Sequence, residues 1–372
     1  MVANTHTGLI LVTGVDKPGV SQALFDALSP FALEVLDVEQ LVIRERLILT
    51  VLLAIDPAHS KAIETDLMEF GEKTEMDVAI DFAEVAKDDL SAKINLKKLV
   101  VLSNKLHPGA LAKIAAGITG NIERINRLAS TPLTILEIFY TGEITNRIEL
   151  EETDVILIPE NLKKYSRKLI VLDVDSTLIK QEAIELLANH AGVGTEVKAI
   201  TEAAMRGELD FSESLKKRVS LLAGLSSEVI EKIRNEIELS PGAKNLVGAL
   251  HAAGHVVGVV SGGFISIIEP LLNELGIRYY RANTLEVIDG KLTGKVVGKI
   301  IDSKGKAEAL QEYAQAEKIP IEATIAIGDG ANDLEMIKVA GFGIAYRAKP
   351  VVQQSADAAI NTEYLDSVLY FI

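Results

Sequence analysis

The stretch KLIVLDVDST, residues 168–177, decides the fold of the larger part of the chain. Leu169 to Leu172 form an unbroken apolar run, and two carboxylates, Asp173 and Asp175, close it. A strand that is apolar on both faces must be covered on both faces, which is the situation of a parallel sheet. Two later runs have the same character: HVVGVVSGG, residues 255–263, and TIAIGDG, residues 324–330. Helical patterns lie between them. This alternation predicts a doubly wound parallel α/β sheet over residues 168–372. Two insertions interrupt it: a helical one at about 182–237, and TLEVIDGKLTGKVVG, residues 284–298, with the pattern of a β-hairpin around Asp289-Gly290.

Ligands in open α/β sheets bind beyond the carboxyl ends of the strands. Three such ends carry polar groups: Asp173 to Thr177, then Ser261-Gly262-Gly263, then Gly328 to Asp333. Asp173 and Asp175, two apart on extended chain, point to one side. A carboxylate attacking a phosphoryl group is repelled by its charge, so a hard divalent cation with oxygen ligands is needed. Asp173, Asp329 and the backbone carbonyl of Asp175 are the expected ligands of Mg²⁺, with Asp333 acting indirectly through water or on Lys306. Asp173 is the expected nucleophile and Asp175 the general acid and base. Ser261, Lys306 and backbone N–H groups are expected to neutralise the transferring oxygens. Gly262 and Gly263 would let the backbone come close, and Asn332 would touch phosphate or substrate. Taken singly, each has a plainer reading as a cap, a turn or a solvated helix residue. Their order at successive strand ends favours chemistry.

The combination DxDST, SGG, a lysine and GDGxND resembles the four motifs of the haloacid dehalogenase superfamily of phosphotransferases. DVDSTLIKQEAIELLA, residues 173–188, and AAMRGELDFSESLKKRVSLLAGL, residues 203–225, are similar to the phosphoserine phosphatase family, a likeness that runs over about 168–365. The resemblance implies hydrolysis of O-phospho-L-serine through an aspartyl phosphate, the last step of serine biosynthesis. It also implies Glu182 on the substrate ammonium, Arg218 on its carboxylate, and Met205 and Phe211 as an apolar shield. Arginine suits the planar carboxylate. Two other readings stay open: a phosphoprotein phosphatase of the same chemistry, and a non-catalytic amino-acid sensor.

Ahead of this part the sequence repeats. Residues 8–55 read strand, turn, helix, strand, strand, followed by a helix at about 57–73 and the alternating run DVAIDFAEV, residues 77–85. At an offset of 90 residues Pro18-Gly19 meets Pro108-Gly109, Val12 meets Leu102, Leu24 meets Ile114, Leu28 meets Ile118, Val35 meets Ile125 and Val38 meets Leu128. The order expected for each copy, 1–88 and 95–158, is the ferredoxin-like βαββαβ unit, with a linker at 159–167. The copies resemble ACT domains. That likeness implies regulation by L-serine bound near the turns, at Asp16, Gly19 and Gly109, or dimerisation into a homodimer.

The 372 residues are 48% apolar and 24% charged, enough for several cores. A net charge of −15 argues against a nucleic-acid partner. The absence of cysteine leaves no disulfide or thiolate site. The six histidines show no metal-ligand spacing. Without a leader pattern or a run of about 20 apolar residues, no membrane association is expected and the cytoplasm is the expected location.

Overall fold

The computed structural model describes residues 4–86, 96–205 and 208–372, in two compact units, Met1–Ile94 and Asn95–Ile372. The first unit runs β1 (Asn4–Val15), α1 (Val20–Leu28), β2 (Glu34–Ile43), β3 (Arg46–Ala54), α2 (Ser60–Thr74) and β4 (Asp77–Ala86). Its antiparallel sheet has the order β2-β3-β1-β4. Alternation along β1 and β3 turns Ile10, Val12, Leu47, Leu49, Val51 and Leu53 to one face. There they meet Val20, Leu24 and Leu28 of α1 and Ile63 and Leu67 of α2, each set spaced by four residues on its helix. The opposite face carries Leu9, Leu11, Leu41, Ile43 and Ile48, all exposed.

The second unit opens with a similar sheet: β5 (Lys97–Ser103), α3 (Pro108–Gly117), β6 (Ile122–Ala129), β7 (Thr134–Tyr140) and β8 (Thr153–Ile158), in the order β6-β7-β5-β8. This copy departs from the expected βαββαβ order. Residues 141–152, where the second helix would stand, form turns and isolated bridges. Ile144, Ile148 and Leu150 pack from that segment against the α3 face of the sheet, filling the space a helix would have covered.

The offset of 90 holds for the helices and slips in the first strand. Leu24 and Ile114 are both fully buried under their sheets. Val12, however, lies on the helix face of its sheet, whereas Leu102 lies on the face away from α3. Val101 takes the place of Val12, because a one-residue shift in a strand exchanges its two faces. Val35, Val38, Ile125 and Leu128 sit exposed on edge strands, so their matches report the edge and not a core.

Residues 159–167 are not a free linker. Glu160–Lys163 is a short helix, α4, whose Leu162 is buried in one core with Val100, Leu102, Ile135 and Ile156 and with the α/β domain. The outer face of the second sheet is thus covered by the rest of the unit. Asp154 fixes this contact: it accepts from Asn361 N at 2.7 Å, Asn361 Nδ2 at 2.8 Å and Thr362 N at 3.4 Å. Burial pushes its carboxyl above the ordinary range although those donors oppose the shift. Asn361 Oδ1 in turn accepts from Gln353, whose backbone carbonyl accepts from Arg147.

The α/β domain carries a seven-stranded sheet, β12-β11-β10-β9-β13-β14-β15. Its centre is β9 (Leu169–Leu172) between β10 (Val256–Phe264) and β13 (Thr324–Gly328), all parallel and fully buried along β9. Beyond β13 lie β14 (Phe342–Tyr346) and β15 (Ala358–Ile360); beyond β10 lie β11 (Tyr279–Ile288) and the antiparallel β12 (Lys291–Val297). Asp289 (φ 47°) and Gly290 (φ 73°) make the two-residue hairpin turn, both in the left-handed region that such a turn requires. The helical insertion is α5 (Ala183–Ala191), α6 (Gly194–Met205), α7 (Phe211–Ser220) and α8 (Val229–Glu236). The remaining helices are α9 (Ala243–Ala252), α10 (Ile265–Glu274), α11 (Ser303–Glu317), α12 (Leu334–Val339) and α13 (Pro350–Ser355). Among the described residues no helix is long and apolar enough to cross a membrane.

Replacing Asp154 by alanine orphans two backbone N–H groups at this junction. We expect a loss of about 1–3 kcal/mol in denaturant-induced unfolding; an unchanged midpoint would show that water replaces the carboxylate at no cost.

Candidate active site

The turn after β9 departs from regular helix because Ser176 is held at φ 57°. Asp173 is anchored first through its backbone, its N–H donating to Ile327 O of β13 at 2.9 Å. Lys306, on α11 and fully buried, then donates to Asp173 Oδ1 and to Asp333 Oδ1, each at 2.6 Å. Asp333 is itself held by Gly330 N, which donates to Oδ2 at 2.9 Å. One ammonium group therefore ties the end of β9 to the turn after β13. Burial works against the charge on Lys306, but Asp173 and Asp333 outweigh it and hold the ammonium above its ordinary pKa. Burial and the neighbouring Asp333 push the Asp173 carboxyl well up, against the pull of Lys306.

Asp175 is also buried. Oδ1 accepts from Ala183 N at 2.7 Å and Oδ2 from the Ser261 hydroxyl at 3.0 Å, while Ser261 Oγ accepts from Gly263 N at 2.8 Å. Burial raises its carboxyl despite these donors. Gly263 is required by this closeness: a Cβ there would stand 2.6 Å from Asp175 Oδ2 and 3.0 Å from Ser261 Oγ. At Gly262 a Cβ would stand 2.9 Å from Phe211 Cζ of α7, so the missing side chain admits the helical insertion onto the strand end.

These groups border a cavity of about 630 Å³. Its wall includes Asp173, Asp175, Gly262, Gly263, Asp329 and Asn332 from the strand ends, and Glu182, Phe211 and Arg218 from the insertion. Lys306, Ser261 and Asp333 lie beneath that wall, engaged with the aspartates. The side chain of Met205 lies outside the described residues. Burial, with nearby Asp175, raises Glu182 to about 8; burial, with Asp333, raises Asp329 to about 7; burial lowers Arg218. Oxygens of Asp173, Asp329 and Asp333 come within 4.8 Å of one another, so the three carboxylates could hold a metal ion. Their crowding is the fit: carboxylates pushed upward by burial and by each other are relieved by a hard cation taking oxygen ligands.

Three residues make contacts that were not foreseen. Ser176 Oγ donates to Glu182 Oε1 at 2.8 Å, and Thr177 Oγ1 donates to Asp329 Oδ1 at 3.3 Å. Both follow Asp173 and Asp175 directly, so the motif held the signal. Asn283 on β11, buried, donates to Gly262 O at 2.8 Å and accepts from Ile301 N at 2.8 Å. Nothing local in the sequence marks Asn283 as a neighbour of Gly262. The remaining expected residues lie in the repeats. Asp16 is exposed and its N–H donates to Glu45 O. Gly19 precedes α1 at φ 92°, whereas Gly109 is the second residue of α3, with nothing within 4 Å of where a Cβ would stand.

A parallel sheet with an aspartate pair at one strand end, a lysine clamp and a second aspartate pair defines a haloacid dehalogenase-like hydrolase, and the family model of that description matches residues 170–338. The ACT domain model matches residues 6–81. A phosphoserine phosphatase of Streptomyces coelicolor is 42% identical over 100% of this chain and 93% of its own length. One of Mycobacterium tuberculosis is 43% identical over 98% of this chain and 92% of its own. A solved structure of a phospho-aspartyl intermediate analogue of phosphoserine phosphatase is 46% identical, with TM-score 0.53, and covers 55% of this chain and 99% of its own. The chain belongs to the phosphoserine phosphatase family, in a form with an ACT domain ahead of the hydrolase.

Gly263→Ala tests the packing of the strand end. Displacing Asp175 by about an ångström should lower kcat by about 10²-fold, with the circular dichroism spectrum close to wild type and stability lowered by about 1–3 kcal/mol from the overpacking. Undiminished turnover would mean that Asp175 is free to move aside.

Proposed function

We propose that this chain hydrolyses O-phospho-L-serine to L-serine and phosphate through a phosphorylated Asp173. The observation that carries the reading is that Glu182 and Arg218 line the same cavity as Asp173 and Asp175. A free amino-acid ester offers an ammonium and a carboxylate besides its phosphate, and a carboxylate and a guanidinium answer them. A phosphorylated protein lacks both free groups at its phosphoserine, so a phosphoprotein substrate leaves this pair unused.

Lys306 holds Asp173 Oδ1, which leaves the other oxygen to attack phosphorus. The P–O bond to the serine oxygen breaks, and Asp175 donates its proton to that oxygen. Burial keeps the Asp175 carboxyl above its usual range, which favours the protonated form that the first step needs. In the second step water attacks the aspartyl phosphate and gives its proton to Asp175. Phosphate leaves and both aspartates return to their starting forms. Arg218 and Glu182 orient the serine portion, and Phe211 helps to keep water out. Asp173, Asp329 and the Asp175 carbonyl would hold Mg²⁺, with Asp333 acting indirectly, and the ion would neutralise the phosphoryl charge. The proposed setting is the cytoplasm, in the closing step of serine synthesis.

The same proposal includes a homodimer and feedback by L-serine through the ACT-like copies. The apolar outer face of the first sheet, with Leu9, Leu11, Leu41, Ile43 and Ile48 exposed, supports the dimer, since the matching face of the second sheet is covered.

Asp173→Asn should lower phosphate release from O-phospho-L-serine by on the order of 10⁴-fold or more, because an amide is a poor nucleophile. Comparable release by wild type and variant would end the proposal. For the regulatory part, light scattering should give twice the chain mass, falling to one chain in Leu41→Lys/Ile43→Lys. L-serine inhibition should weaken in Gly109→Leu, where the added side chain has room, and full inhibition there would remove Gly109 from the site.

A further inference from the structure

One polar group on the cavity wall has no part in the chemistry above. Ser214 is fully buried, lines the cavity, and its Oγ has no hydrogen-bond partner among the described residues. An unmade hydrogen bond in a buried site costs about 1–3 kcal/mol. The residue sits on α7, where helical spacing puts Phe211, Ser214, Leu215 and Arg218 on one face, and all four line the cavity. Its backbone N–H is already spent on Asp210 O at 2.9 Å, and its carbonyl accepts from Arg218 Nε at 3.4 Å. That contact turns the guanidinium beside Ser214 and uses Nε, leaving the two terminal nitrogens for an anion. Phe211 and Leu215, the other residues on this face, can give the hydroxyl no bond.

We infer that Ser214 and Arg218 together form the seat for the substrate's carboxylate, the serine hydroxyl donating to one carboxylate oxygen while the guanidinium takes the group from its other side. The chemical class of ligand is a small phosphate monoester carrying a free carboxylate. This inference rests on the proposed phosphoserine reading and adds to it a specificity-determining residue. The hydroxyl is kept unpaired in the wall because its partner arrives with the substrate. A substrate without the carboxylate would leave it unpaired, so Ser214 also selects against such esters.

The test is steady-state kinetics on the full chain, comparing wild type, Ser214→Thr and Ser214→Val. Threonine and valine share a shape and differ in the hydroxyl, so any cost of extra bulk is common to both. We expect Ser214→Val to raise KM for O-phospho-L-serine at least about tenfold over Ser214→Thr, the loss of one hydrogen bond to a charged group. kcat should stay within about twofold between the two, and inhibition by inorganic phosphate, which has no carboxylate, should be equal in both. Equal KM values for the two variants would overturn the inference, and so would a phosphate inhibition constant that moves with KM. Wild-type failure to release phosphate from O-phospho-L-serine would overturn the proposed function itself, a result distinct from either.

Discussion

A single buried ammonium group organises this site. Lys306 reaches Asp173 and Asp333 at 2.6 Å each with no access to water, and it does so across two strands and a helix. Taking three charges out of water is costly, and only close pairing offsets the cost. The pairing therefore fixes the distance between the end of β9 and the turn after β13. Asp173 is held on one oxygen, and Asp333, tied again by Gly330 N, cannot swing away. Removing the lysine would leave two buried carboxylates facing one another. The raised pKa of Asp173 reflects the same crowding, with burial first and Asp333 next.

The strand ends set the position of the reacting groups, and the helical insertion sets what can reach them. Gly263 allows Asp175 and Ser261 to share a space that a methyl group would fill. Gly262 does the same for Phe211, so the insertion closes directly on the strand end. In the proposed reading, specificity and chemistry fall to different segments, α7 and the residues ahead of α5 for the amino-acid portion, β9 and β13 for the phosphoryl group. Ser176 links the two by its bond to Glu182.

The second ACT-like copy is part of the hydrolase's own core. Its outer sheet face shares a cluster with Leu172, Val174 and Ile327, and Asp154 grips the backbone after β15. Through Asn361, Gln353 and Arg147 this grip continues to α13, whose Val351 and Val352 line the cavity. A change in that copy has a short path of hydrogen bonds to the wall of the site. The first copy is compact by itself, with its helix face sealed and its outer face apolar.

Chemistry at the strand ends was legible in the sequence because it is local: Asp173 and Asp175 in one turn, Ser261 with its two glycines, Asp329 with Asp333. The strand and helix periods were legible for the same reason, as was the hairpin at Asp289-Gly290. Contacts between distant segments were not. Lys306 was legible as a charge-neutralising residue, but its clamp on Asp173 Oδ1 was not, because that depends on how α11 packs beneath the strand ends. Asn283 and Asp154 carry no signal of their own, because what each does depends on a neighbour far along the chain. The slip that puts Val101 and not Leu102 opposite Val12, and the missing second helix at 141–152, were invisible for a related reason. Sequence records which residues alternate, but which face of a sheet is covered, and by what, is settled only when the pieces pack.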